Sequence, residues 1–130
     1  MTKRKVGISV VAMVSILILS GGMAYSEEPV PLPEVPAEYA DKKMPAGWLT
    51  DPKVIEEGAL IYSGEVNPQV NCGSCHGKDG KPVKKGARDF RDKAQMGRMS
   101  DAFWFWRVSE GVPKTKMKAW KSMLSEEQIW

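Results

Sequence analysis

Histidine is almost missing from this 130-residue chain: His76 is the only one. Cysteine is nearly as scarce, with Cys72 and Cys75 alone. A single imidazole excludes any intrachain site that needs two histidines. Two thiols and one imidazole also leave a four-coordinate structural zinc site one good ligand short. No acidic residue precedes Glu27, and no charge of either sign occurs over residues 6–26. Sustained alternation of apolar and polar residues is absent, which removes the usual signal of half-buried strands. Internal repeats are absent too. The expected class is therefore small and mostly α, with length for one domain.

The uncharged opening reads as an export segment. Lys3, Arg4 and Lys5 precede an apolar run over residues 6–19, broken only by Gly7, Ser9 and Ser15. Ala24-Tyr25-Ser26 resembles a cleavage site before Glu27. The same segment is long enough to cross a ~30 Å hydrocarbon layer. Residues 1–26 are thus a signal peptide or an N-terminal membrane anchor. Either outcome delivers the remainder to the periplasm or another extracytoplasmic space, with the basic start held inside.

Charge beyond this segment is divided. Residues 27–65 hold nine acids against three bases, and residues 76–121 hold thirteen bases against five acids. That dipolar layout does not suggest a nucleic-acid binder. It suggests one docking face on a protein partner.

Residues 27–46 read as a linker, with Pro29, Pro31, Pro33, Pro36 and Pro45 favouring extended geometry. Met44 and Trp48 are placed to tack its end onto a domain at residues 47–130. Thr50 or Asp51 is expected to cap a first helix from Pro52 to about Ser63, with proline suited to the first position. Ile55, Ala59 and Tyr62 share one face of it, and Gly58 offers a smooth spot for another helix. Ser100 caps a second helix from Asp101 to Glu110 that stops at Gly111. Ser125 with Gln128 forms a capping box for a third.

Cys72-Gly73-Ser74-Cys75-His76 is the pattern of c-type haem attachment. Two thiols three positions apart reach the two vinyl groups on one porphyrin edge, and the adjacent imidazole then lies beneath the iron. Three other readings compete. A thioredoxin-like dithiol needs a βαβ setting, a zinc site needs a fourth ligand, and a Cys72–Cys75 disulfide closes a tight, strained loop. Methionine is the common partner of histidine on haem iron in cytochromes c, and its thioether raises the potential. Met117 is the expected second ligand: it sits in a polar loop where a thioether serves no packing periodicity, whereas Met96, Met99 and Met123 read as core fillers. Arg88, Arg91, Trp104 and Arg107 are candidates for haem propionate contacts. Phe90, Phe103, Trp106 and Trp120 are expected to pack the pocket and exclude water.

From Gly58 to Trp130 the chain resembles class I, single-haem cytochromes c. The matching stretches are Gly58 to Tyr62, Cys72 to Gly77, Gly111 to Met117, Trp120, and Leu124 to Trp130. The resemblance implies a small helical domain wrapped around one covalent haem c with its iron. It implies that the first and last helices cross, with Gly58 and Tyr62 on the first-helix side. It also implies a proline carbonyl that accepts the ring N–H of the ligand histidine, for which Pro82 is the nearest candidate. Relatives often carry proline directly after the ligand methionine, where this chain has Lys118. Their last helix runs further than Trp130, so a truncated C-terminal helix is expected here, or closure of the haem crevice by Ile129 and Trp130.

The expected function is that of an electron carrier, not an enzyme. Lys114, Lys116, Lys118 and Lys121 bracket Met117 and would steer redox partners that are acidic at their docking surface. Two alternatives stand beside the shuttle: a haem-bearing subunit of a membrane-bound oxidoreductase complex, and a haem enzyme or gas sensor with an open iron position.

Overall fold

In a computed structural model, residues 30–130 are described. The expected export segment lies outside them. Residues Pro33–Trp130 form one compact unit. Among the described residues there is no strand, and no helix is long and apolar enough to cross a membrane.

Five α-helices follow a 3-10 turn at Ala37–Tyr39: α1 Pro52–Ser63, α2 Gly73–His76, α3 Lys93–Met96, α4 Asp101–Glu110 and α5 Glu126–Ile129. The longer helices begin where local chemistry says they should. The Asp51 carboxylate accepts from the Lys53 amide with Pro52 in the first turn, and the Ser100 hydroxyl accepts from the Phe103 amide. Ser125 and Gln128 complete their reciprocal box at α5. Each cap satisfies amides that the first helical turn leaves unpaired.

Helix α4 is the centre of the unit. Ala102, Phe103, Phe105 and Ser109 are buried along it, joined in the core by Val70, Met99 and Leu124. Phe105 gathers two distant segments, the C-terminal residue and the stretch that carries Tyr39 and Lys42. The Trp130 ring lies 4.7 Å from it between centroids, the Tyr39 ring 6.2 Å, and the Lys42 ammonium 4.9 Å above its face. Truncating a phenylalanine buried in this way costs roughly 3–5 kcal/mol.

Those contacts correct the reading of residues 27–46 as a spacer. From Pro33 onward the chain is a strap laid along α4. Tyr39 reaches Glu110 at the helix end, Lys42 lies over Phe105 and pairs with Glu126 at 2.6 Å, and the Met44 amide donates to Asp101 Oδ2 at 3.1 Å. The prolines were a sound guide to extended backbone, but they say nothing of what that backbone packs against.

A second correction concerns α1. No α1 residue is fully buried, and Ile55 is 54% exposed. Nothing stands within 4 Å of where a Gly58 Cβ would be. Gly58 instead floors an open groove of about 330 Å³ bordered by Trp48, Val54, Ile61, Val66 and Trp130. Only Tyr62 of the expected face is engaged, and it faces α2.

Candidate functional site

The two cysteines flank a single tight turn. Cys72 precedes α2, its carbonyl accepts from the Cys75 and His76 amides at 3.1 and 2.9 Å, and Asn71 Oδ1 accepts from the Ser74 amide at 2.8 Å. The turn therefore carries its own cap one residue ahead of the first thiol. Neither cysteine is in a disulfide, and both are partly exposed. Burial pushes the Cys72 thiol above its ordinary value, and nearby Cys75 adds to this against an opposing backbone hydrogen bond. A thiol held protonated lacks the lowered pKa of a thioredoxin-like nucleophile.

Tyr62 anchors this turn to α1. Its hydroxyl donates to the Gly77 carbonyl at 2.7 Å, and its ring lies 3.3 Å from where a Gly73 Cβ would stand. Burial raises the Tyr62 phenol above its ordinary value, with Cys72 and Asp79 adding to the effect. Gly77 leaves α2 at φ 77°, and a Cβ there would be driven into the Lys81 carbonyl. Only glycine makes this exit from His76 without strain.

His76 is held by its inner nitrogen. Nδ1 lies 3.0 Å from the Arg88 carbonyl oxygen, and the ring stacks on Phe90 at 4.3 Å between centroids with 14° between planes. This corrects Pro82: the carbonyl that meets the imidazole is that of Arg88, further along the loop. A backbone acceptor at Nδ1 puts the proton there and leaves Nε2 as the free donor atom, the arrangement expected of a metal-ligating histidine.

Met117 lies in the loop between α4 and Trp120. Its carbonyl accepts from the Val112 amide at 3.0 Å and its amide donates to Thr115 Oγ1 at 3.1 Å, so both backbone polar groups are satisfied inside the loop. Gly111, at φ 71°, opens the loop. A Cβ there would lie 2.6 Å from the Lys118 carbonyl carbon. The loop closes where the Trp120 amide returns to the Val108 and Ser109 carbonyls and the Lys121 amide to that of Ser109. Met117 is half-buried, with Lys114, Lys116 and Lys118 exposed around it. Lys121 is not part of that free set, because its ammonium pairs with Glu110 at 2.6 Å.

Phe90, Phe103, Trp104 and Trp106 form a run of ring contacts. Trp104 meets Phe90 edge-on at 6.0 Å and Phe103 at 6.1 Å, and Phe103 meets Trp106 at 5.9 Å. The arginines divide. Arg91 pairs with the Asp89 carboxylate through Nε at 3.0 Å and Nη2 at 2.9 Å. Arg107 lies 3.7 Å over the Trp106 ring. Burial lowers its guanidinium below the ordinary value, and the charge of Arg88 lowers it further. Among the described residues neither Arg88 nor Arg107 forms an ion pair. Two neighbouring cations without an acid between them suit an anionic group from outside the chain.

The donor set fits haem c. Two free thiols stand on one turn, an imidazole offers one nitrogen, and a thioether sits in a closed loop. Sequence reasoning missed Asn71, Thr115, Tyr39 and Glu110. The first two carry a local signal, a side-chain acceptor two or three residues before a turn amide. The other two meet only through the fold.

No curated protein matches the chain. A solved structure described as "KustC0563 c-type cytochrome" is 32% identical over 55% of this chain and 83% of that one, with a TM-score of 0.47. The family described as "Cytochrome C oxidase, cbb3-type, subunit III" matches residues 55–130. That match spans more than half of the chain and includes the attachment turn and the methionine loop. The chain therefore belongs to this family of c-type cytochromes, whose helical domains bind haem c covalently and move electrons through it.

Proposed function

We propose that this domain carries single electrons outside the cytoplasm on one haem c, bonded to Cys72 and Cys75, with the iron between His76 Nε2 and Met117. The observation that carries the reading is the contact of His76 Nδ1 with the Arg88 carbonyl, which commits one ring nitrogen and frees the other. Bound haem supplies the one-electron ferric–ferrous couple. The chain supplies the rest. The Arg88 carbonyl orients the imidazole, and Thr115 with Val112 holds the Met117 backbone. Phe90, Phe103, Trp104 and Trp106 keep water from the ring. Arg88 and Arg107 stand as the cations for the propionates, and the Trp104 indole N–H as a further donor to them.

Lys114, Lys116 and Lys118 form the docking surface for an acidic redox partner. Reduction by an acidic protein donor is expected to slow steeply as ionic strength rises, because exposed charges separated by more than a Debye length of ~10 Å at 0.1 M are largely screened. A rate independent of salt would remove the docking surface and leave the haem site standing.

The family description supports a second reading, in which the domain is a haem-bearing subunit of a membrane-bound oxidoreductase complex. Retention of residues 1–26 in the exported protein, read from its intact mass, would favour it. Ready carbon monoxide binding by the ferrous wild type, without the deep-red Met–iron absorption band in the ferric state, would replace both with an open-iron enzyme or gas sensor.

A further inference from the structure

Glu110 is the last residue of α4 and directly precedes Gly111, where the Met117 loop begins. One of its carboxylate oxygens, Oε1, receives two donors. The Lys121 ammonium approaches from the far end of the loop at 2.6 Å, and the Tyr39 hydroxyl approaches from the strap. The two ends of the loop and a segment about seventy residues earlier in sequence therefore meet at one atom. The Lys121 amide is bonded as well, to the Ser109 carbonyl at 3.2 Å.

The strap's path gives this junction leverage. It runs antiparallel to α4 and touches its last residue through Tyr39, its middle through Lys42 over Phe105, and its first turn through Met44 at Asp101. An exposed ion pair alone contributes little. Here the partners are tied to an ordered strap, so releasing the loop end also breaks the strap's hold on the helix terminus.

We propose that Tyr39 and Glu110 are positioning residues for the Met117 loop, latching its closing end to α4 through Glu110 Oε1 and so setting how readily Met117 is displaced from the iron. The proposal rests on Met117 as the axial ligand. The state of the latch agrees with its surroundings. The Glu110 carboxyl is held below its ordinary value by Lys121 first and Tyr39 second, and the Tyr39 phenol is pushed up to about 12, chiefly by its bond to Glu110.

The test uses the full chain carrying its haem, with two readouts: imidazole binding to the ferric iron and hydrogen exchange at the Val112, Trp120 and Lys121 amides. Tyr39→Phe and Glu110→Gln are each expected to raise imidazole affinity about five-fold and to speed exchange at those amides by a similar factor, the size of one charge-assisted surface hydrogen bond. Glu126→Gln, which cuts the strap's ion pair with α5 but leaves Lys42 over Phe105 and Glu110 untouched, is expected to change neither. If Tyr39→Phe does not fold, Glu110→Gln decides alone. Unchanged exchange and affinity in the Tyr39 and Glu110 variants would overturn the latch, as would an equal rise in Glu126→Gln. Absence of the Met–iron band in the wild type would overturn the axial ligand instead, and the exchange comparison would still decide whether the loop is latched.

Discussion

His76 and Arg88, twelve positions apart, are joined by the imidazole Nδ1 and a backbone carbonyl 3.0 Å away. The partner is main chain, so the Arg88 guanidinium is not committed to His76; its Nη1 donates to Gln95 Oε1 at 3.2 Å and no acid pairs with it among the described residues. Arg88→Ala is expected to keep the His76 orientation and the visible spectrum. Removing a cation near the iron eases the ferric state, so the midpoint potential should fall by on the order of 20 mV, the scale of one water-screened unit charge. Redox titration of wild type and variant measures this. A potential that rises, or a lost axial ligand, would separate the guanidinium from the role assigned to it.

Gly111→Ala tests the opening of the methionine loop. The new Cβ would stand 2.6 Å from the Lys118 carbonyl carbon at a φ of 71°. Backbone must move, and the expected cost is at least about 2 kcal/mol. Thermal unfolding of the haem-loaded protein should show it as a lowered Tm together with a weakened Met–iron band. A variant with wild-type Tm and band would mean that the loop end accepts a side chain.

Tyr62→Phe removes one hydrogen bond, from the phenol to the Gly77 carbonyl at 2.7 Å, and leaves the ring against Gly73. The expected loss is about 1 kcal/mol, because the buried Gly77 carbonyl keeps only the longer bond from the Gly80 amide at 3.4 Å. Denaturant unfolding resolves a change of this size. No change would show that water takes the phenol's place.

The junction of Tyr39, Glu110 and Lys121 has a defined pH window. The Glu110 carboxyl is depressed in the folded state, so its contribution is complete above its unfolded pKa and is lost as pH falls through the folded value. The Tyr39 phenol is raised to about 12 by Glu110, burial, and the charges of Glu110, Glu38 and Glu126. Its contribution is complete below the ordinary tyrosine value of roughly 10 and fades as pH rises through about 12. The stability difference between wild type and Tyr39→Phe is thus expected to be flat from roughly pH 5 to 9 and to shrink at both extremes. Unfolding curves across that range check it, and a difference that grows at high pH would contradict the assignment.

The parts legible in the sequence are those built by neighbours in the chain. Pro52 with Asp51, Ser100 with Gly111, and Ser125 with Gln128 mark helix ends by contacts within a few residues. The attachment turn is legible for the same reason. Helix α3 carried a comparable signal in Asp92, whose carboxylate accepts from the Gln95 amide, but four residues offer no periodicity to confirm it. The strap was misread because its prolines describe conformation while its function lies in contacts with Phe105 and Glu110. The imidazole's partner was misplaced at Pro82 because every residue carries a carbonyl, and side-chain identity does not mark which one a distant ring will meet. Lys121 looked like one more cation of the docking surface until its carboxylate partner, eleven positions away, came into view.

Covalent attachment at Cys72 and Cys75 is the claim on which the rest depends. The protein, expressed with a haem-maturation apparatus, can be extracted with acidified acetone and its polypeptide weighed intact. The account predicts that colour and the mass of one haem stay with the chain, and that the double variant Cys72→Ser, Cys75→Ser gives up both. Haem recovered in the acetone, with a polypeptide at its bare mass, would contradict it.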